Sequence, residues 1–592
     1  MGLISAGKLR KGGYKMEGKT YPEFSTRYPL LLRTFMKRPV SLYPNEIGVV
    51  YRNADTGQYQ RFTWREWYQR TCCLANALQA SLGVKPGRAG ELGDRVATMA
   101  LNNHRHLELF YAAPCMGAVL HAIVPRLSLD HIVHTIEHSE DKVLFFDDLI
   151  LPLVEMIYDR IKPIVEKFVY MSDGGGVPET KIEPIYDYEE LLKGQSAEFD
   201  WPYLDEDTCA SLCYTTATTG LPKGVIYTHR QLYLHALHLM AAMSWSAEPS
   251  QPHLGDSAVP ILNTPFCHAN GWGMPHIYVY GACKVVLPGR FTPEGFCDLV
   301  QTEKVTSTTL VPTMLAMLVE YEDLKKYDLS SLVGIGVGGA ALPLGLKAKA
   351  EQLIPGFSAI SGYGMTETGP AVVSAFTKRY MRDWPKEELE KISVKTGLPI
   401  AGVEVDVIDE NGRPVPRDSE TIGEIVLRGP WIMEEYYKDP EKTAQVWRDD
   451  GWFHTGDVAK VDEEGYLTIV DRITDVIRSG AEMVPTVLLE NLTATADCVL
   501  EATYVGVPDS KWGERPMAVI KLVPGATECE DDIYKFLEAE GVEKGRLTKW
   551  MLPDFIALTD EIPKTSVGKY DKITIKKESG KFLSKAKKMR EA

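Results

Sequence analysis

Residues 214–224 read YTTATTGLPKG and carry the strongest signal in the chain. The apolar run ASLCY (210–214) before them predicts a strand, and a helix-like stretch follows them. Backbone N–H groups and threonine hydroxyls of such a loop can wrap phosphate oxygens, and Lys223 adds a positive charge. The spacing is not that of the nucleoside-phosphate loop G-x-x-x-x-G-K-S/T. A polar surface turn is the alternative, but a turn requires neither four threonines nor a lysine.

Outward from this loop, helical and strand patterns alternate. Residues 63–83 predict an amphipathic helix that ends at Gly83, residues 93–103 predict a strand, and residues 105–118 predict a second helix. The same alternation returns between 281 and 340. Such alternation is typical of parallel sheets covered by helices. We therefore predict an α/β fold for this part of the chain.

The texture changes after about residue 400. The segments VEVDVID, GEIVLRG and YLTIVDR are short alternating strands joined by turns. Beyond Asp471 the pattern predicts a small α+β unit, and the lysine-rich stretch from Lys572 onward predicts a solvated helical tail. We therefore divide the chain into a domain of residues 1–471 and a domain of residues 472–592, with the boundary near 471–475.

Composition limits the function classes. The 592 residues include 44% hydrophobic and 25% charged residues, and the net charge of −16 argues against non-specific binding to nucleic acid or an anionic membrane. The ten cysteines form no C-x-x-C pair and have no zinc-ligand spacing, which favours reduced thiols in a cytoplasmic protein. We find no secretory signal, and no apolar run reaches the roughly 18 residues of a membrane helix.

The loop at 214–224 resembles the phosphate-binding signature of the adenylate-forming superfamily, which includes acyl-CoA synthetases, adenylation domains and luciferases. Four more blocks follow in that family's order: GYGMTET (362–368), GWFHTGD (451–457), DRITD (471–475) and PKTSVGK (563–569). The resemblance runs from about residue 40 to residue 575. The texture of PFCHANGW (265–272) and KTGLPIAGVEV (395–405) is similar to that of fatty-acyl-CoA synthetases.

The resemblance implies a fold and a reaction. A large N-terminal domain would contain two parallel α/β subdomains and a small β-barrel-like subdomain, followed by a small mobile α+β lid. The enzyme would join a carboxylic acid to ATP as an acyl-adenylate, release pyrophosphate, and pass the acyl group to coenzyme A. The acid would be a fatty, short-chain or medium-chain acid, with hydroxy acids included. The resemblance also implies a homodimer.

The resemblance and the loop chemistry together name the nucleotide-binding candidates. They are Thr215, Thr216, Thr218, Thr219, Gly220, Lys223, Gly339, Gly362, Tyr363, Gly364, Thr366, Asp457, Arg472 and Arg478. Glycines after a strand, such as Gly339, let the backbone approach a base closely. Arg478 would lie near the coenzyme A phosphates, and a solvated charge is its alternative.

For each main candidate there is a chemical reason for a functional role and a simpler structural explanation. Glu367 offers a hard oxygen ligand for Mg²⁺, together with the Thr215 hydroxyl, whereas an exposed glutamate is the alternative. Tyr363 offers a flat face for adenine, or is a core tyrosine. Asp457 can accept hydrogen bonds from both ribose hydroxyls, or is a turn aspartate. Arg472 resembles the family arginine near ribose or phosphate, or forms a surface ion pair.

Two further groups concern the acid. Lys569 resembles the catalytic lysine that the lid would bring between the acid carboxylate and the α-phosphate; a solvated lysine is the alternative. His268, Asn270 and Trp272 resemble residues that line the acyl pocket, and we also count His268 as a catalytic candidate. An aromatic side chain packed in the core is the alternative for this block.

Several positions depart from the family pattern. Ala217 replaces a usual glycine in the phosphate loop, and Ala481 and Met483 alter the loop at 479–483 that would line a coenzyme A tunnel. Thr474 occupies a hinge position that usually carries lysine or aspartate. Two other functions stay open. One is an adenylating enzyme that loads a carrier protein supplied in trans, and the other is a pseudoenzyme that retains nucleotide binding.

Overall fold

The computed structural model describes residues 28–174, 176–215, 220–245, 257–480, 482–564 and 570–590. Its strands are β1 Ile47–Arg52, β2 Tyr59–Thr63, β3 Arg95–Met99, β4 Val119–Ala122, β5 Asp141–Asp147, β6 Lys167–Met171, β7 Ile185–Asp187, β8 Cys209–Tyr214, β9 Gly224–Thr228, β10 Pro260–Ile261, β11 Val285–Leu287, β12 Ser307–Leu310, β13 Gly334–Val337, β14 Ser358–Gly364, β15 Ala371–Ser374, β16 Leu398–Pro399, β17 Glu404–Ile408, β18 Gly423–Arg428, β19 Phe453–Val461, β20 Leu467–Arg472, β21 Ile477–Ser479, β22 Glu482–Val484, β23 Val499–Asp509, β24 Gly513–Leu522, β25 Phe555–Leu558 and β26 Lys587–Lys588.

The helices, in chain order, are α1 Arg33–Leu42, α2 Trp64–Ala80, α3 His104–Met116, α4 Leu129–Ser139, α5 Leu151–Ile161, α6 Tyr188–Leu192, α7 His229–Trp245, α8 Met274–Tyr280, α9 Pro293–Glu303, α10 Pro312–Val319, α11 Leu344–Leu353, α12 Lys386–Ser393, α13 Pro440–Val446, α14 Thr486–Thr493, α15 Glu530–Leu537, α16 Lys572–Lys577 and α17 Ser579–Leu583. Helix α2 is the helix predicted over 63–83. Thr63 and Glu66 cap its start reciprocally, since the Thr63 hydroxyl accepts from the Glu66 N–H and the Glu66 carboxylate accepts from the Thr63 N–H. Among the described residues, no helix has the length and apolarity needed to cross a membrane.

The first large sheet has the order β7-β6-β5-β3-β4-β8-β9 and is parallel except for the β8–β9 pair. Strand β8 leads into the loop at 214–224 and β9 returns from it, so the loop joins two antiparallel neighbours at the sheet edge. We expected a helix directly after the loop. Strand β9 comes first because Val225, Ile226, Tyr227 and Thr228 are β-branched or aromatic, and α7 begins one residue later.

The second large sheet has the order β16-β15-β14-β13-β12-β10-β11-β1-β2. Its central strands are parallel, and antiparallel pairs occur at both ends: β1–β2 at one, β14–β15 and β15–β16 at the other. The two predicted parallel α/β units are therefore confirmed, with antiparallel strands at their edges. Residues 362–364 are the last three residues of β14, where this strand pairs with β15.

The third unit is the antiparallel sheet β17-β18-β19-β20, in the place of the predicted barrel-like subdomain. Its register sets Asp457 on β19 directly opposite Arg472 on β20. Because paired residues on neighbouring strands lie close together, the sheet itself places Asp457, the candidate ribose ligand, beside Arg472 of the predicted hinge.

The C-terminal unit contains the path β22-β21-β24-β25-β26, with β23 paired to β24, and has its own cores. The prediction of a solvated tail from Lys572 onward is wrong. Ile575 and Phe582 are buried against β23, β24 and β25, and β26 pairs with β25. Two apolar residues thus dock a segment whose charge alone suggested solvent. The proposed boundary near 471–475 covers the last two residues of β20 and the residues that lead to β21, and it stays a prediction.

One buried asparagine connects the two large sheets beside the predicted acid pocket. The Asn102 side-chain amide donates to Leu262 O and Thr264 O, both at 2.7 Å, and its oxygen accepts from the Phe266 N–H at 3.0 Å. Its backbone carbonyl accepts from the Gly289 N–H at 3.0 Å. The segment that enters residues 265–272 therefore depends on this side chain for three hydrogen bonds.

We expect Asn102→Ala to lower the free energy of unfolding by about 3 kcal/mol, because two buried carbonyls and one N–H lose their partner. Urea unfolding followed by tryptophan fluorescence measures the change. The control is Asn411→Ala at an exposed turn, where less than about 0.5 kcal/mol is expected. Equal midpoints for the two variants would show that Asn102 does not stabilise the junction.

Candidate active site

The mouth of the phosphate loop is closed by its own backbone. The Thr215 N–H donates to Lys223 O at 2.9 Å, and the Lys223 N–H donates to the Thr215 hydroxyl at 3.2 Å. Gly220 is exposed with a φ of +95°, a left-handed conformation that favours glycine. Thr216, Ala217, Thr218 and Thr219 lie outside the described residues, so what we predicted for them stays a prediction.

Lys223 and Glu367 are connected through one tyrosine hydroxyl. The Lys223 Nζ donates to the Tyr436 hydroxyl at 3.0 Å, and that hydroxyl donates to Glu367 Oε1 at 2.7 Å. Burial lowers the pKa of Lys223, and the Glu367 carboxylate opposes that change. The structure thus brings together the candidate phosphate cation and the candidate magnesium ligand. Sequence reasoning missed Tyr436, although it lies in an aromatic pair, YY (436–437), after a buried apolar segment.

Glu367 is held by the turn that follows β14. Glu367 O accepts from the Met433 N–H at 3.0 Å, and Thr366 O accepts from the Tyr227 hydroxyl. A Cβ on Gly364 would lie 1.9 Å from Pro370 O, so only glycine allows the strand to pass this close to the returning chain. Gly364 and Thr366 therefore act here on the shape of the turn that presents Glu367, which is 5% exposed.

The adenine and ribose candidates form a second cluster. The Tyr363 hydroxyl donates to Asp457 Oδ2 at 2.6 Å, and Arg472 Nε lies 3.2 Å from Asp457 Oδ1. Burial first, and then the Asp457 carboxylate, raise the pKa of Tyr363 well above its usual value. Asp457 and, less strongly, Glu367 raise the pKa of Arg472. Charges of both clusters therefore act on Arg472, near the end of β14.

A tryptophan from the predicted acid pocket lies against the predicted nucleotide glycines. A Cβ on Gly338 would be 3.1 Å from Trp272 Cη2, and a Cβ on Gly339 would be 3.5 Å from Trp272 Cζ2. Gly339 has a φ of +78°, which favours glycine, and a Cβ on Gly338 would be 3.4 Å from Gly362 O. Any larger residue at 338 would displace the indole. Acid and nucleotide candidates therefore meet at the ends of β13 and β14.

The rest of the pocket block forms an unusual left-handed turn. Residues 269–273 all have positive φ, and three of them are not glycine. Asn270 is buried, its amide donates to the Ser211 hydroxyl at 3.1 Å, and its oxygen accepts from Cys213 Sγ at 3.4 Å. Asn270 therefore fastens the turn to β8, the strand that leads to the phosphate loop. His268 is half-buried at the start of the turn, and its carbonyl accepts from the Trp272 N–H.

The candidate residues of the C-terminal unit have other partners. Arg478 is exposed on β21 and pairs across the hairpin with Met483, and its N–H donates to the Glu514 carboxylate at 3.1 Å. Thr474 O accepts from Lys576 Nζ at 3.0 Å, which ties the predicted hinge to α16. Lys569 and Ala481 lie outside the described residues.

The chemistry of the donors fits a shared magnesium ion. Glu367 supplies a carboxylate and Thr215 a hydroxyl, both hard oxygen ligands. Among the described residues, no group of three or more histidine, cysteine, aspartate or glutamate side chains could hold a metal by itself. The two oxygen donors are enough for Mg²⁺, which is usually bound by one or two protein oxygens and completed by substrate phosphates and water.

Residues 36–437 match the sequence profile of the AMP-binding enzyme family, and residues 488–569 match that of the AMP-binding enzyme C-terminal domain. The chain belongs to this family. The family that the five blocks indicated is thereby confirmed. A long-chain-fatty-acid–CoA ligase of Thermus thermophilus is 40% identical over 95% of this chain and 98% of its own length.

A second relative and a solved structure agree with this family assignment. A medium-chain-fatty-acid–CoA ligase of Ectopseudomonas oleovorans is 31% identical over 89% of this chain and 92% of its own length. The crystal structure of the anthranilate CoA ligase AuaEII with anthranoyl-AMP superimposes with a TM-score of 0.77 at 22% identity and covers 94% of this chain and 98% of that one. At that identity the structural match concerns the fold alone, and it confirms the α/β architecture with a small C-terminal domain.

Proposed function

We propose that this member of the AMP-binding enzyme family is an AMP-forming acyl-CoA ligase that converts a carboxylic acid, ATP and coenzyme A into an acyl-CoA, AMP and pyrophosphate. Its class is that of the acid–thiol ligases, which use ATP, Mg²⁺ and coenzyme A. The observation that carries the proposal is the Lys223–Tyr436–Glu367 bridge beside the Tyr363–Asp457–Arg472 cluster. Together these groups offer a phosphate cation, a metal ligand and a ribose acceptor.

The first half-reaction joins two anions, so neutralising and aligning them supplies most of the catalysis. The acid carboxylate attacks the α-phosphorus of ATP, the bond to the β-phosphate oxygen breaks, and pyrophosphate leaves. Lys223 neutralises phosphate oxygens, Asp457 accepts hydrogen bonds from the ribose hydroxyls, and Tyr363 supports the adenine. Mg²⁺ held by Glu367 and Thr215 would add positive charge at the phosphates. Lys569 would bridge the acid carboxylate and the α-phosphate.

In the second half-reaction the coenzyme A thiol attacks the adenylate carbonyl, a C–S bond forms, and AMP leaves. We propose that the C-terminal unit, residues 472–592, acts as a lid that rotates about residues 471–475 between the two steps. The Ile473 N–H donates to Gly456 O at 2.8 Å on the nucleotide side, whereas Asp471 Oδ2 accepts from the Thr486 N–H at 2.7 Å on the lid side. These hydrogen bonds connect the segment to both units and support the proposed hinge.

The acid is proposed to be a fatty, short-chain or medium-chain acid, including hydroxy acids. Residues 268–272 would line its pocket, with the Trp272 indole between the acid and the β13–β14 end. We also propose a cytoplasmic location, supported by the scattered cysteine pattern of the sequence, which has no C-x-x-C pair, and a homodimer. Size-exclusion chromatography with light scattering tests the dimer.

The deciding experiment mixes the purified protein with ATP, Mg²⁺, coenzyme A and a series of acids of increasing length, including hydroxy and aromatic acids. We expect a thioester together with equal amounts of AMP and pyrophosphate for at least one acid. Pyrophosphate and adenylate without thioester would favour the carrier-protein alternative. No pyrophosphate with any acid, despite nucleotide binding, would favour the pseudoenzyme alternative.

A further inference from the structure

Tyr436 lies at the centre of the phosphate end of the site, yet no motif of the sequence marks it. Its hydroxyl accepts from Lys223 Nζ at 3.0 Å and donates to Glu367 Oε1 at 2.7 Å, and the side chain is 2% exposed. The Lys223 ammonium also lies 4.1 Å from the centre of the Tyr436 ring. One buried tyrosine thus contacts both the cation and the carboxylate that the proposed reaction needs.

The backbone holds this tyrosine in place independently of its hydroxyl. Tyr436 forms an antiparallel bridge with Val225 on β9, the strand that returns from the phosphate loop. Its N–H donates to the Thr443 hydroxyl at 3.0 Å, and the N–H of Tyr437 donates to Gly224 O at 2.8 Å. The ring is therefore fixed relative to the loop before any ligand arrives, which is what a positioning group requires.

The next residues anchor the same segment on the other side. Lys438 has a φ of +54°, and its ammonium contacts the Glu140 carboxylate at 2.6 Å and His138 O at 3.0 Å. The segment is thus tied both to β9 and to the end of α4. Because the backbone is held at both ends, removing the hydroxyl alone should leave the ring where it is.

We infer that Tyr436 is a positioning residue whose hydroxyl keeps the Lys223 ammonium and the Glu367 carboxylate apart, so that each can receive its own ligand. The inference rests on the proposed function, in which Lys223 meets the phosphates and Glu367 the metal. An ammonium and a carboxylate this close would otherwise form a direct ion pair. The bridge engages one N–H of the ammonium and one oxygen of the carboxylate, which leaves each group further capacity for a ligand.

The consequence concerns nucleotide affinity in particular. Without the hydroxyl, Lys223 and Glu367 would pair directly, and a magnesium nucleotide would have to break that pair before it could bind. Binding should therefore weaken in a manner that depends on Glu367. A hydroxyl that merely stabilised the fold would instead change thermal stability and leave the magnesium dependence alone.

The test compares wild type, Tyr436→Phe, Glu367→Gln and the double variant by isothermal titration with Mg-ATP, without acid or coenzyme A. We expect Tyr436→Phe to raise the Kd about three- to tenfold, the effect of losing one or two buried hydrogen bonds. The Mg²⁺ concentration for half-maximal binding should rise similarly. In the Glu367→Gln background the further loss should be less than about twofold, because the partner charge is already absent.

Tyr437→Phe is the matched control, since its ring packs against His138 and it belongs to the same segment. It should bind Mg-ATP as wild type does. A Kd for Tyr436→Phe within about twofold of wild type, or an equal loss in both backgrounds, would overturn the inference. Because binding is read without thioester formation, a wild type that binds Mg-ATP but makes no thioester would contradict the proposed function and not this inference. A wild type that does not bind Mg-ATP would overturn both.

Discussion

Lys569→Ala is expected to lower the rate of adenylate formation by roughly 10²–10³-fold, the effect of removing one group that stabilises developing charge in a transition state. The lysine would otherwise neutralise both the acid carboxylate and the α-phosphate, two anions that repel each other as they approach. Acid-dependent exchange of labelled pyrophosphate into ATP measures this step alone. Transfer from a synthetic acyl-adenylate to coenzyme A should persist in the variant, because in the proposed mechanism the lysine acts only in adenylate formation.

Lys564→Ala is the matched control for this experiment. Lys564 lies five positions upstream of Lys569, and its backbone forms an antiparallel β-bridge with Tyr570. Its ammonium forms a partly exposed ion pair with Glu501 at 2.7 Å. Such pairs contribute about 0–1 kcal/mol, so the exchange rate should stay close to that of wild type. If Lys569→Ala exchanges pyrophosphate as fast as Lys564→Ala, the catalytic assignment of Lys569 is wrong.

Asp457→Ala is expected to lower kcat/KM for ATP about 100-fold, mainly through KM. Hydrogen bonds to a charged group contribute about 1.5–3 kcal/mol, and Asp457 would accept two from the ribose. The substitution also leaves the Tyr363 hydroxyl and the Arg472 guanidinium without the carboxylate that now orients them. Initial rates of thioester formation at varied ATP measure the change.

The sugar itself separates a direct role from a structural one. Wild type should discriminate against 2′-deoxy-ATP, whereas Asp457→Ala should use ATP and 2′-deoxy-ATP almost equally. Asp409→Ala changes a partly exposed aspartate in the turn after β17 of the same unit and should leave both the KM and the discrimination unchanged. A variant at 457 that still prefers ATP as strongly as wild type does would refute ribose recognition by this carboxylate.

Much of the fold could be predicted because local patterns carry it. The alternation of helix and strand before residue 340 indicates which faces are buried, and the composition of the loop at 214–224 predicts a phosphate ligand. Prediction was wrong where charge and apolar packing compete. The segment after Lys572 looks solvated by its lysines, but Ile575 and Phe582 attach it to the C-terminal sheet. A count of charged residues does not include the stabilisation gained when these two apolar side chains are buried.

The site was predicted in part for a related reason. Glu367, Asp457 and Tyr363 stand in recognisable blocks, but Tyr436 does not, and it lies 213 residues from Lys223 along the chain. Asn270 was predicted to line the pocket, and the structure shows that its amide holds the turn to β8. Both outcomes depend on which segments dock together, and no local window contains that information.

By itself, the sequence determined the fold class, because periodicity and turn residues are local properties, and five blocks that resemble the adenylate-forming enzymes indicated the family. It also predicted the kinds of groups that would contact ATP. Tertiary structure alone decided how these groups pair: Asp457 opposite Arg472, Trp272 against Gly338, and a tyrosine hydroxyl between Lys223 and Glu367. Strand register and the docking of distant segments set those pairs, and both follow from packing the whole chain and not from any single stretch of it.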